Sequence, residues 1–197
     1  MNVAIILAAG ESRRMGEPKQ LLPFGDKTML QCVIDAFSAS ARIDQILVVL
    51  GHKAREIAPT ITQMRTAGVR NPAYTKGMFT SVQAGLRALP ANAKTVLIGL
   101  CDQPRLQTAT VDSLVQKFEQ ERLKMLIPVY RGRQGHPLLF RASYAKEIVA
   151  MDETLTLKHF LANHPDDIVR VVTDDEGVLV DIDDRNDYER ELRQIKK

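Results

Sequence analysis

Arg13, Arg14 and Lys19 fall in or beside a loop bounded by Gly10 and Gly16, and fixed positive charge next to backbone N–H groups is the combination that holds polyphosphate. The apolar run Val3–Leu7 before it reads as a strand buried on both faces. It stops at Ala8, Ala9 and Gly10, residues small enough for a ligand to lie against the backbone. Leu7, Ala8, Ala9, Gly10, Arg14 and Lys19 are therefore the candidate phosphate-binding residues of this stretch. Spacing excludes two familiar phosphate loops: five residues separate Gly10 from Gly16 with no Lys after Gly16, and no G-x-G-x-x-G is present. The plainer alternative is a Gly-containing turn with solvated basic side chains, which is how Arg13 reads.

A carboxylate follows a second buried run. Thr95-Val-Leu-Ile-Gly-Leu-Cys-Asp-Gln-Pro104 carries Asp102 off the end of an apolar strand into a turn. A hard divalent cation such as Mg²⁺ is held by only one or two carboxylates plus substrate phosphates and water, so Asp102 can suffice as a metal ligand. An Asx-turn before Pro104, or a cap near Thr108, accounts for the same residue structurally. Asn71–Leu86 runs from a loop into a helix N-terminus and offers N–H donors and the hydroxyls of Thr80 and Ser81; capping and a turn at Gly77 are the plain readings. His136, between Gly135 and Pro137 in a basic turn, can orient a substrate phosphate or carry a proton, or simply hydrogen-bond backbone. His52 reads as structural. Of Asp181 and Asp183, alternation along an extended segment lets at most one face the site, while Asp184 is suited to cap the last helix.

The elements that position these residues follow from periodicity. Strands are expected at Asn2–Leu7, Gln45–Leu50, Val69–Arg70, Thr95–Leu100, Met125–Val129, Leu138–Phe140, Ile168–Val171 and Val178–Val180. Helices are expected at Met29–Ser40, Ala54–Gln63, Thr80–Ala88, Thr108–Glu121, Tyr144–Ala150, Leu157–Asn163 and Asn186–Ile195, the first behind a capping-box pattern, Thr28-x-x-Gln31. This alternation implies an α/β fold, a Rossmann-like three-layer sandwich around a mostly parallel sheet, with residues 1–197 as one domain. In such sheets ligands bind beyond the carboxyl ends of the strands, and the Gly10–Lys19 loop, the Asn71–Ser81 turn and Asp102 all follow expected strands.

Composition narrows the function classes. A net charge of +3 is too small to make nucleic acid the main partner, and 45% hydrophobic with 26% charged residues is ordinary for a globular chain. No run approaches the ~18 apolar residues of a membrane span and the chain opens on a strand, so neither a membrane partner nor an export signal is expected; the location expected is cytoplasmic. Cys32 and Cys101 provide neither a disulfide framework nor a metal-type C-x-x-C.

The stretch Leu7–Leu22 resembles the signature L-A-A-G-x-S-x-R-M-G-x-x-K-x-L-L of the MobA-like nucleotidyltransferases, and within them the molybdenum cofactor cytidylyltransferase branch; every fixed position is filled. Cys101-Asp-Gln-Pro104 is similar to that branch's D-Q-P motif, Gly77–Leu86 to its G-M-x-x-S-V-x-x-G-L segment, and Gly135-His-Pro137 to its G-H-P. Val180–Tyr188 is similar to its terminal D-I-D-T-P-E-D stretch, departing where Asp184 and Arg185 replace Thr-Pro. Lys53–Val69 and Leu106–Leu123 carry no motif. The resemblance implies a fold of the nucleotide-diphospho-sugar transferase type, nucleotide binding by Leu7, Ala8, Ala9, Gly10, Arg14 and Lys19, Mg²⁺ on Asp102 with Asp183 as a candidate second ligand, base contacts from Gly77 and Ser81, and acceptor binding by His136. Arg14, Lys19 and Asp102 become the catalytic set.

The implied reaction moves a nucleoside monophosphate onto an acceptor phosphate. That phosphate attacks the α-phosphorus and pyrophosphate leaves, so the absence of a G-x-S-x-G elbow or a Cys–His pair is expected. Where this chain has Ala9, the guanylyl-transferring sister group has glycine; the extra methyl narrows the base pocket and favours CTP. The branch implies molybdopterin as acceptor and a molybdenum hydroxylase as client, with transient contact between them. A sugar phosphate or similar small phosphate is the enzymatic alternative, and a non-catalytic molybdenum cofactor carrier is the alternative from another class.

Overall fold

A computed structural model describes residues 1–195. Its sheet strands, in chain order, are β1 (Asn2–Ala8), β4 (Gln45–Leu50), β5 (Thr66–Arg70), β6 (Thr95–Leu100), β7 (Met125–Tyr130), β8 (Arg133–Gln134), β9 (Leu138–Arg141) and β10 (Ile168–Val172); β2 (Pro23–Phe24) and β3 (Lys27–Thr28) form a separate small hairpin. The helices are α1 (Met29–Ser38), α2 (Ala54–Ile57), α3 (Met78–Arg87), α4 (Thr108–Gln120), α5 (Ala145–Ala150), α6 (Leu157–Ala162) and α7 (Arg185–Ile195). The main sheet runs β10-β7-β9-β6-β1-β4-β5, with β8 paired to β7. All pairings are parallel except those of β9 with β6 and β7 and of β8 with β7. The carboxyl ends of β1, β4, β5, β6, β7 and β10 therefore share one edge of the sheet.

The side-chain alternation of β1 and β4 divides the core into two layers. Ala4, Ile6, Ile46 and Val48 face α1 and α4, whose Ile34, Phe37, Leu114 and Phe118 are buried against them. Val3, Ile5, Leu47 and Val49 face α3, α5 and α6 through Phe79, Val82, Ile148 and Phe160. Every residue of β1 is buried, as a strand covered on both faces requires. Gly85 lets α3 approach closely, since a Cβ there would lie 2.5 Å from Ile5 Cγ2. A third cluster packs the hairpin and α7 against the phosphate loop through Met15, Leu22, Phe24, Met29, Ile182 and Tyr188.

The capping box of α1 forms as its sequence predicts: Gln31 N donates to Thr28 Oγ1 at 3.2 Å and Thr28 N to Gln31 Oε1 at 2.9 Å. Several expected elements differ: β5 begins at Thr66 where Val69 is expected, α1 ends at Ser38 where Ser40 is expected, and three further differences trace to particular residues. Residues expected to be helical over Ala54–Gln63 form only α2 and a 3-10 turn, Ala58–Thr60, because Pro59 has no N–H and cannot continue the ladder. The strand expected at Val178–Val180 is absent: Glu176–Val178 is a 3-10 turn whose first N–H groups are met by Asp175, which accepts from Gly177 N at 2.8 Å. The Val178 carbonyl is taken by His136 N and Gln103 Nε2 instead of a neighbouring strand. Finally, α3 begins at Met78 and not Thr80, since the Thr80 hydroxyl turns back to Gly77 O at 2.8 Å inside the first turn. Among the described residues no helix is long and apolar enough to cross a membrane.

Candidate active site

Beyond Ala8 the chain leaves the sheet, and one buried amide shapes the loop that follows. Gln20 is fully buried, and its Nε2 donates to Ala8 O at 2.9 Å and Gly10 O at 3.1 Å. Lys19 N donates to Ser12 Oγ at 3.1 Å, closing the loop on itself. A Cβ built on Gly10 would meet no protein atom, so the space over it is open to a ligand. This folding turns Lys19 inward, where its side chain is only 13% exposed, while Arg13 stays in solvent beside Glu11.

Lys19 is the centre of the site. Its ammonium donates to Asp102 Oδ2 at 2.6 Å, to Ile182 O at 3.2 Å and to Asp183 Oδ1 at 3.3 Å, which accounts for all three of its N–H groups. Arg14 Nη2 reaches the other oxygen of Asp183 at 3.0 Å. Burial works against the charge on Lys19, but Asp102 and the other neighbours outweigh it and hold its pKa above the usual 10.5. Burial likewise opposes ionisation of Asp183, and Lys19 and Arg14 overcome it, holding the carboxyl below its usual value. Arg14, Lys19, Asp102 and Asp183, four candidates from three distant segments, are thus brought together.

Asp102 is not a helix cap. The N–H of Gln107 and the hydroxyl of Thr110, at the start of α4, both donate to Asp175. Ile182 N donates to Asp102 O at 2.9 Å, fixing the turn. The carboxylate's Oδ1 is buried with no hydrogen-bond partner in the protein, an arrangement that is costly unless a ligand completes it. A hard cation fits that oxygen. No group of three or more His, Cys, Asp or Glu side chains is arranged to hold a metal among the described residues, so the protein would supply one or two carboxylate ligands and leave the rest to phosphates and water. Asp181 turns the other way, accepting from Gln103 Nε2 at 2.8 Å, and burial raises its pKa. Asp184 caps α7, accepting from Asp187 N at 3.0 Å.

His136 sits beside this group. Its N–H donates to Val178 O at 2.9 Å, and Gly135 allows the approach: a Cβ there would stand 2.2 Å from that same oxygen. Burial pushes the imidazole below its ordinary pKa of 6.5 against the pull of the Asp102 charge, so the ring is neutral at pH 7. Cys101 is inert as a nucleophile, its thiol pushed up to about 12 by burial and by the Asp102 charge. Ser81 lies beneath the surface and its hydroxyl accepts from Asn71 Nδ2 at 2.9 Å, while Gly77 is exposed at the start of α3. His52 packs near Tyr74, as a structural residue would.

His136 and Gly77 also line a cavity of about 530 Å³ between the sheet edge, α3 and α6. Its walls are apolar, with Leu7, Phe79, Leu100, Ile127, Leu138 and Leu161 among them. The polar lining comes from a few side chains, including Lys76 and Glu153, which pair at 2.6 Å. Sequence reasoning missed Gln20, Gln103 and this cavity. Gln20 left one faint signal, a polar residue placed between a loop and the apolar Leu21-Leu22.

Comparison with known proteins identifies the family and the fold. A family model described as a MobA-like NTP transferase domain matches residues 4–168. The molybdenum cofactor cytidylyltransferase of Escherichia coli (strain K12) is 26% identical over 185 residues, 93% of this chain and 92% of that protein. A "Probable molybdenum cofactor guanylyltransferase" of Halalkalibacterium halodurans is 30% identical over 149 residues, 70% of this chain and 67% of that protein. Among solved structures, Rv0371c of Mycobacterium tuberculosis H37Rv superposes with a TM-score of 0.84 at 24% identity, covering 98% of this chain and 97% of that one. A manganese complex of Rv0371c superposes at 0.78 and 23% identity, over 98% of each chain. The fold is thus that of the nucleotide-diphospho-sugar transferases. The chain belongs to the MobA-like NTP transferase family.

Proposed function

We propose that this protein transfers CMP from CTP to the phosphate of molybdopterin, releasing pyrophosphate, with Mg²⁺ on Asp102 and Asp183. The observation that carries the reading is the buried, unpartnered Oδ1 of Asp102 beside Lys19; the cavity, lined by Leu7 and His136 but by none of Gly10, Arg14, Lys19 and Asp102, lies alongside them. Bound Mg²⁺ supplies Lewis-acid neutralisation of the phosphate oxygens. The chain's own residues do the rest. The N–H groups of the Gly10 loop, with Leu7, Ala8 and Ala9 beneath them, cradle the nucleotide. Gly77 meets the base, with Ser81 and Asn71 holding that turn from below, and the methyl of Ala9 favours cytosine over guanine. Lys19 and Arg14 stabilise the charge that builds on departing pyrophosphate.

No general base is required, because a phosphate monoester has its second pKa near ~6 and is mostly dianionic at pH 7. Its oxygen forms the new bond to the α-phosphorus as the bond to pyrophosphate breaks, and the electron pair leaves with pyrophosphate. The ring of His136 donates one hydrogen bond to the acceptor phosphate. The cavity's apolar walls suit the flat faces of a fused-ring acceptor. The nucleotide product would act in the cytoplasm and pass to a molybdenum hydroxylase. The test is pyrophosphate release with Mg²⁺ and molybdopterin, with CTP, GTP, ATP and UTP supplied separately. Release with CTP alone, lost in Asp102→Ala, is expected. Nucleotide binding without release would indicate a carrier, and release only with sugar phosphates would replace the acceptor.

A further inference from the structure

We propose that Lys19 holds Asp102, the carboxylate assigned to the metal, until a triphosphate draws it away, so that metal and nucleotide bind this site cooperatively. The inference rests on the proposal that both bind here and concerns how they do so. The two cations assigned to phosphate pair with the two carboxylates assigned to metal: Lys19 with Asp102 at 2.6 Å and Asp183 at 3.3 Å, Arg14 with Asp183 at 3.0 Å. The four charges balance. Because Lys19 has no N–H free, it reaches a phosphate only by releasing a protein acceptor.

Either ligand alone meets an obstacle. A divalent cation drawn to the buried, unpartnered Oδ1 of Asp102 finds an ammonium already on the same carboxylate, and the like charges repel across a partly buried site. A metal-free triphosphate that captures Lys19 strips Asp102 of its counter-charge, and the side chain, 17% exposed, is left as a poorly solvated anion. When both arrive, the pairs exchange. Metal replaces Lys19 on Asp102, Lys19 and Arg14 turn to the phosphates, and no buried charge is left unmatched. The two affinities are then coupled, and the coupling is reciprocal.

Mn²⁺ and inorganic tripolyphosphate are suitable probes, since neither carries a base or an acceptor; the outcome is therefore separable from the identity of nucleotide and acceptor. Free Mn²⁺ is followed by its electron paramagnetic resonance signal, corrected for the complex that Mn²⁺ and tripolyphosphate form in solution. In the wild-type protein, tripolyphosphate should tighten Mn²⁺ binding by about tenfold or more, within the usual range of site coupling. Lys19→Met should bind Mn²⁺ alone about tenfold more tightly than wild type and lose most of the tripolyphosphate effect. Lys19→Arg should retain weak binding, and adding Asp102→Asn to Lys19→Met should remove the tightened site. Mn²⁺ binding that ignores tripolyphosphate in wild type, or that is unchanged or weaker in folded Lys19→Met, overturns the proposal. Should Lys19→Met fail to fold, the wild-type titration decides alone.

Discussion

Removing the amide of Gln20 should damage both stability and turnover, and by amounts that can be worked out. The side chain is fully buried, and its Nε2 is the donor for Ala8 O at 2.9 Å and Gly10 O at 3.1 Å. In Gln20→Ala two carbonyls lose a buried partner; each bond is worth about 1 kcal/mol net, and more where water does not replace it. A loss of about 2–4 kcal/mol follows, which at this chain length is roughly 4–16 °C in Tm. The same bonds set the height of the loop above β1. A displacement of ~1 Å there should lower kcat/KM by about 10²-fold, because the proposed reaction requires the triphosphate to be placed against Lys19 and the metal. Chemical denaturation followed by circular dichroism gives the first quantity, and pyrophosphate release well below the variant's Tm gives the second. Gln20→Glu sharpens the test: it keeps the shape but presents an anion to two carbonyl oxygens, and should be less stable than Gln20→Ala. A Gln20→Glu protein as stable as wild type would refute the assigned donor, and a Gln20→Ala protein with undiminished kcat/KM would refute the link from this amide to the phosphate loop.

Stability should decline between pH 7 and 5 through His136: its folded pKa lies below 6.5, so the unfolded chain takes the proton first, and the contribution, complete above about 6.5, is lost as pH falls through the folded value. Urea midpoints measured across that range should show a shallower slope in His136→Gln. Gly135→Ala should cost about 1–3 kcal/mol, as overpacking does, because its Cβ would stand 2.2 Å from a backbone oxygen that cannot rotate away; a midpoint within 0.3 M urea of wild type, at a typical slope of about 1–3 kcal/mol/M, would count against the close contact.

The layers of the fold are legible in the sequence because buried parallel strands and amphipathic helices leave strong periodic signals. Val3–Leu7 and Thr95–Leu100 are apolar throughout, and both form where expected, paired in register with each other. The candidate set is legible for a different reason: Arg14, Lys19, Asp102 and His136 lie in stretches that resemble the family's motifs, whereas by residue type alone Asp102 and His136 each have a plain structural use. What the sequence does not disclose depends on long-range partners. Val178–Val180 has a strand's composition, but a strand needs a neighbour with free ladder groups, and the Val178 carbonyl is already taken by His136 and Gln103. Ser81 carries a hydroxyl at a loop-to-helix junction, but Asn71, ten residues earlier, claims it. The cavity depends on walls contributed by α3, α6 and several strands, a property no local pattern encodes.

The C-terminal segment has more part in the chemistry than the boundary of the matched family domain implies. That match ends at residue 168, yet groups that fix the candidate catalytic residues lie beyond it. Ile182 donates its N–H to Asp102 O and accepts from Lys19 at its carbonyl, so one residue ties the carboxylate's turn to the ammonium. Its side chain is fully buried in the cluster that holds Met15 of the phosphate loop and Tyr188 of α7. Val178 O secures His136, and Asp183 bridges Lys19 and Arg14. The sheet edge delivers Gly10 and Asp102 as rigid points, but the positions of Lys19, Arg14 and His136 are set from across the site by residues 178–183. Folding of this tail against the hairpin is therefore coupled to the geometry of the active site. Substitutions in the Ile182 cluster should accordingly act on turnover as well as on stability, although none of its apolar side chains need touch a substrate.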